Sequence, residues 1–154
     1  MITCPNREAL VKKTIGVLFF LFLLEIHPRP GLADDLSSEQ EAIQKAAKQY
    51  LEAEVQRNYK AIYACLAPSS EYVAANTFEA YLAEAKSSPV RIVSYQILNI
   101  SQIRDNPDKK KYPKFDRMAQ VEVDVVVLYA DTSQRSMVNY AFPFVKEGEK
   151  WYKL

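Results

Sequence analysis

Residues 120–130, QVEVDVVVLYA, alternate Val121, Val123, Val125, Val127 and Tyr129 with Glu122, Asp124, Val126 and Leu128. A period of two carried by β-branched residues is the pattern of a strand with one face against a core. The same reading extends to either side. Residues 90–103 alternate Val93, Tyr95 and Ile97 with Ile92, Ser94 and Gln96, residues 137–145 form a third run, and 150–154 a fourth. Glu147-Gly148-Glu149 predicts a hairpin turn between the last two, with Gly148 able to take a positive φ.

Upstream the period changes. Ser38 with Glu41 three residues on reads as a capping box that starts a helix. Ile43, Ala46, Ala47, Tyr50 and Leu51 then recur at helical spacing. With Ile43 at zero and 100° per residue, this stripe centres at roughly 10–20°, whereas Tyr59, Ile62, Tyr63 and Leu66 centre at roughly 150°. One straight helix cannot turn both stripes to one core. A break is therefore expected close to Asn58, with a short second helix ending before Pro68. Asn76 with Glu79 is expected to cap a third helix carrying Phe78, Tyr81, Leu82 and Ala85 on one face. Helices grouped ahead of an antiparallel meander predict an α+β domain, three helices packed on one face of a sheet of about four strands.

The residues before Asp34 are of another kind. Arg7, Lys12 and Lys13 precede a ten-residue uncharged run, 15–24 (IGVLFFLFLL). That run spans roughly 15 Å as a helix, too short for an ordinary membrane crossing. Gly31-Leu32-Ala33, just ahead of Asp34-Asp35, supplies the small residues that a signal peptidase needs. The pattern predicts a cleaved export signal over 1–33 and a domain over 34–154, periplasmic or secreted, with no transmembrane anchor after cleavage. Cys4 lies ahead of the apolar run, where a lipoprotein cysteine would have to follow it.

This division changes what composition means. The whole chain carries 20 Lys+Arg and 19 Asp+Glu, a formal charge of +1, which speaks against a broadly basic nucleic-acid binder. The expected mature part carries 16 and 17, hence −1. His27 falls in the leader, so the mature part offers no Ser-His-Asp triad, Cys-His pair or histidine metal site. Gly148 is its only glycine, which excludes a P-loop and a GxGxxG turn, and Cys65, its only cysteine, allows no internal disulfide. Within Ala64-Cys65-Leu66-Ala67 this thiol reads as a small buried hydrophobe. No metal and no cofactor is expected.

The order helix, broken helix, short helix, then long strands closing with FVKEGEKWYKL at 144–154 resembles the NTF2-like (cystatin-like cone) superfamily. It looks closest to the small exported bacterial domains of that group. The resemblance covers most of 34–154 and is most specific over 50–68 and in the terminal hairpin. Members often place a Gly-Asp pair where this chain has Arg57-Asn58. The resemblance implies a pocket between the helices and the concave sheet face, where the family's enzymes use an Asp or His. It spans isomerases, dehydratases, transport factors and inert assembly modules, among which fold alone does not choose.

Three features are candidates for function. Glu54 falls near roughly 20°, in the middle of the first helix's apolar stripe, with Asn58 near roughly 60° and Arg57 near roughly 320° on its flanks. An acid facing an apolar cavity is suited to general acid or base work, and equally to an ion pair with Arg57 or a sheet residue. All ten tyrosines lie beyond the leader. Tyr95, Tyr129 and Tyr140 are expected on the helix-facing side of the sheet, either lining, with Tyr50 of the first helix, a pocket for a small apolar ligand or as plain core. The connection 104–117, RDNPDKKKYPKFDR, holds six basic and three acidic residues. Its Lys109, Lys110, Lys111 and Lys114 suit an anionic envelope partner or a solvated hairpin tip. Glu122 and Asp124 mark the other sheet face as solvated or as the seam of a homodimer. The expectation is an exported non-enzymatic binding or assembly module of the cell envelope. Its rival is a cofactor-free isomerase or dehydratase using Glu54.

Overall fold

The computed structural model describes residues 32–154, as α1 (Leu32–Gln56), α2 (Tyr59–Ala64), α3 (Glu71–Ala75), α4 (Phe78–Ser87), β1 (Val90–Asp105), β2 (Arg117–Tyr129), β3 (Arg135–Glu147) and β4 (Lys150–Lys153). The expected export signal, with Cys4, Gly16, His27 and Gly31, lies outside the described residues except for Leu32 and Ala33, the first two of α1. The fold is α+β: an open antiparallel sheet in the order β1-β2-β3-β4, with helices packed against it. No helix among the described residues is long and apolar enough to cross a membrane.

The alternation in β2 sets the core. Ala119, Val121, Val123, Val125 and Val127 are all buried on the helix side. Their partners in register, Phe142 opposite Val121 and Val138 opposite Val125, continue that face into β3. From α1, Ile43, Ala47, Tyr50, Leu51 and Ala53 meet it, as the apolar stripe requires. α1 crosses the sheet and touches both edge strands, β1 and β4.

The break near Asn58 has a defined geometry. α1 ends at Gln56, Arg57 takes the left-handed conformation at φ 53°, and the Asn58 side chain accepts a hydrogen bond from Ala61 N as the N-cap of α2. One left-handed residue reverses the chain direction at a helix end, which lets Ile62 turn back to the same core. Beyond α2, Cys65 and Ala67 exchange backbone hydrogen bonds with Lys153 at 2.8 Å each, extending the β4 edge.

Several expectations need correcting. α1 runs on past Ser38 toward Leu32, so Ser38 stands inside the helix and not at its cap. The third expected helix is α4, capped by Thr77 through a bond from Ala80 N, while Asn76 closes a separate short helix, α3. In β1 the strict alternation fails. Register shifts fall between Ile92 and Ser94, Ile97 and Asn99, and Ser101 and Arg104. Each extra residue resets the parity of a strand, so Ile92 joins Tyr95, Ile97, Ile100 and Ile103 on the core side. The final turn is as expected, with Gly148 at φ +59° and open space around its α-carbon.

The connection between β1 and β2 folds back beneath the outer sheet face. Phe115 is buried with Ala67 and Val145, and Tyr112, Met118, Tyr152 and Leu154 close this second cluster. Asn106, itself buried, donates through Nδ2 to the Tyr112 and Phe115 carbonyls at 2.7 and 2.9 Å, and its Oδ1 accepts from Asp108 N at 2.9 Å. An amide satisfied on both ends in this way substitutes for a hairpin ladder.

Candidate functional site

A cavity of about 490 Å³ opens where the end of α1, the three short helices and the start of β1 converge, within the range of small-molecule sites. Ile62, Leu66 and Val90 give it apolar wall, Tyr59, Tyr72 and Tyr81 give aromatic wall, and Glu54 reaches it from α1. Glu84, Arg57 and Arg91 stand exposed at its edge.

Glu54 is the acid that the helical phase placed on the apolar stripe. Burial pushes its carboxyl above the usual range, while the Tyr50 hydroxyl and the Lys153 charge pull the other way without cancelling that effect. Lys153 is driven down by burial and held up by Glu54. Its ammonium donates to the Leu154 carbonyl and lies 5.8 Å from the centre of the Phe142 ring. The two charges attract one another, and burial biases each group toward its neutral form. Tyr50 and Tyr81 are both raised by burial and by the Glu54 charge, and Tyr72 is pushed up to about 12 by burial and its bond to Glu84. These phenols therefore remain protonated donors at neutral pH.

An aromatic network braces the wall. The Tyr63 ring packs on Phe78 and Tyr81 at 5.5 and 5.4 Å, and Tyr72 meets Tyr81 edge-on at 6.5 Å. The Tyr63 hydroxyl donates to the Asn76 carbonyl and that of Tyr72 to Glu84 Oε2, both at 2.8 Å. Such pairs fix the tilt of each ring.

Of the six residues expected to line a pocket, the structure brings two together. Glu54 lines the cavity and Tyr50 stands one turn behind it, its ring edge-on to Phe142. Asn58 is occupied as a helix cap. Tyr95 is on the core side, but its hydroxyl reaches Glu52 at 3.4 Å, away from the cavity. Tyr129 lines a separate hollow of about 290 Å³, and Tyr140, opposite Val123, is 50% exposed. Lys153, Tyr81, Tyr59 and Arg91 were not singled out by the sequence. A signal for Lys153 existed, since it alternates with the core residue Trp151 and so shares its face.

In the basic connection the four lysines are exposed. Lys109 pairs with Asp116 at 2.9 Å, and the Lys111 ammonium sits 4.8 Å from the Tyr112 ring centre, which itself stacks on Phe115. Lys110 and Lys114 project from the same folded loop. Cys65 is half-buried against the core, and burial pushes its thiol up, the opposite of an activated nucleophile. No cluster of His, Cys, Asp and Glu able to hold a metal ion occurs among the described residues.

A second polar cluster is structural. Glu39 accepts from Lys146 Nζ at 2.6 Å and Trp151 Nε1 at 2.7 Å, with Arg117 Nη1 at 3.4 Å. Burial raises this carboxyl, but the two hydrogen bonds and the charges of Lys146 and Arg117 outweigh it and hold it below the usual range. These contacts hold α1 to the sheet. No family model and no curated protein matches the chain.

Proposed function

We propose that the chain is an exported, NTF2-like binding module of the cell envelope that holds a small, largely apolar ligand in the cavity beside Glu54. The observation that carries this reading is the cavity itself, with apolar and tyrosine walls and one half-buried carboxylate to orient a ligand. The cone-like architecture is supported by α1 reaching both edge strands and by the left-handed break at Arg57, in the place where members of the resembled group often carry glycine. The leader over 1–33 and the domain over 34–154 belong to the same proposal, on sequence pattern alone. Dimerisation through the outer sheet face is supported by exposed Met137, which lies opposite Val126 on that face.

Screening small aromatic and aliphatic compounds by thermal shift tests the binding reading. A ligand at a hundred times its Kd should add about 2.7 kcal/mol to stability. That gain should vanish in Ala85→Trp, which fills the cavity from α4. A screen in which hits stabilise this variant equally would defeat the proposal.

A second reading has one specific observation in its favour: a carboxyl raised by burial lines the cavity, bonded to the Tyr50 phenol and within reach of the Lys153 charge. That is the equipment of a cofactor-free isomerase or dehydratase, with Glu54 as acid or base and phenols as donors to an oxyanion. Under it, Glu54→Gln would abolish turnover of a converted substrate while preserving its binding.

A further inference from the structure

The cavity's charges are unequally satisfied. Of its two side-chain carboxylates, Glu54 interacts with the Lys153 charge, and Glu84 accepts the Tyr72 hydroxyl. Its two guanidinium groups have no such answer. Among the described residues, neither Arg57 nor Arg91 makes an ion pair. Arg57 spends Nε on the Tyr59 hydroxyl at 2.8 Å and lies over that ring at 5.6 Å, which leaves its terminal amines directed elsewhere. Arg91 makes no side-chain hydrogen bond in the described structure.

The two arginines also share a place. Both line the 490 Å³ cavity and the adjoining 290 Å³ hollow, together with Ser88 and Val90. They therefore stand where the two spaces meet, at the mouth and not in the depth. The interior is apolar and aromatic, and the rim carries planar forks suited to bidentate contact with an acidic group. A cationic ligand would instead have to pass those two arginines to reach Glu54, whose charge already interacts with that of Lys153.

We propose that the site takes a small anionic amphiphile: an aromatic or acyl body among Tyr59, Tyr72 and Tyr81, with a carboxylate, sulfonate or phosphate head at Arg57 and Arg91. This rests on the reading of the cavity as a ligand site and adds the ligand's charge and orientation.

A matched pair of fluorescent probes decides it: anilinonaphthalene sulfonate and its uncharged parent, phenylnaphthylamine, titrated into the folded chain with circular dichroism recorded alongside. The sulfonate is expected to bind about tenfold or more tightly than the parent, the ratio that one charge-assisted hydrogen bond supplies. Arg57→Gln/Arg91→Gln should bring the sulfonate down to the parent's affinity and leave the parent unchanged. Arg57→Lys should retain part of the preference. Should the double variant unfold, Arg91→Gln alone serves, since that side chain supports nothing else. Equal or tighter binding of the parent, or a preference unchanged in the arginine variants, overturns the anionic assignment. If the parent binds without preference and is lost in Ala85→Trp, only the head-group assignment falls and the cavity reading survives. If neither probe is affected by Ala85→Trp, or neither binds, both fall together.

Discussion

The Trp151 indole Nε1 donates to Glu39 Oε2 at 2.7 Å, joining residues 112 apart in the chain and fastening the early part of α1 to β4. Lys146 completes the carboxylate from β3 and Arg117 approaches from β2, so one acid ties three strands to the helix. Replacing it by alanine strands a buried indole N–H and two poorly hydrated cations. Glu39→Ala should cost about 2–3 kcal/mol, read as a lower urea midpoint at unchanged slope. Glu39→Gln should cost less, because it still accepts from Trp151.

The same acid governs stability on acidification. Its folded pKa is depressed, so its contribution is fully present above the ordinary glutamate value and is lost as pH falls through the depressed one. Glu54 has the opposite sign. With its pKa raised, the folded state binds the proton more tightly than the unfolded state, so stability falls as pH rises from the ordinary glutamate value through the raised one. Denaturation between acid and neutral pH should show Glu54→Gln gaining stability relative to wild type as pH increases. A difference constant with pH would mean that burial does not perturb this carboxyl.

The folded state of the basic connection makes a proteolysis prediction. Asn106 holds the Tyr112 and Phe115 carbonyls, and Phe115 is 1% exposed. Asn106→Ala leaves the buried Phe115 carbonyl unpaired and the Tyr112 carbonyl with the Phe115 N–H alone, at about 2 kcal/mol. Phe115→Ala opens a cavity, at about 3 kcal/mol or more. Trypsin should cut after Lys110 and Lys114 faster in both variants than in wild type, with β2 still protected from hydrogen exchange.

What could be read beforehand follows the range of the interactions. The alternation over 120–130 was legible because its buried face runs through β2 without a register shift against β3. The break near Asn58 was legible as a phase difference between two stripes, which needs no knowledge of the partner surface. The core side of Ile92 was not, because bulges in β1 are set by its pairing with β2 and leave no local mark. Glu39 lies one turn before Ile43 on the same face, yet an isolated acid there looks solvated. Its partners on the sheet are more than a hundred residues away. The cavity was half legible: Glu54 by its phase, its tyrosine walls not, since α3 is only five residues long and brings Tyr72 in by a turn that no periodicity announces.

The last expectation concerns the residue on which both halves of the helix layer hinge. Arg57 sits at φ 53° between α1 and α2, a conformation that costs a side chain with a Cβ roughly 1–2 kcal/mol and costs glycine nothing sterically. Its side chain returns part of that through the Tyr59 hydroxyl and ring. Two substitutions separate these effects. Arg57→Ala keeps the strain and loses the contact, and should be destabilised. Arg57→Gly loses the contact but removes the strain, at the cost of a more flexible unfolded chain. The glycine variant should therefore be about 1 kcal/mol more stable than the alanine variant, visible in paired thermal melts. Equal melting of the two would show that the left-handed turn is not populated, and the placement of Ile62 against the core would then need another cause.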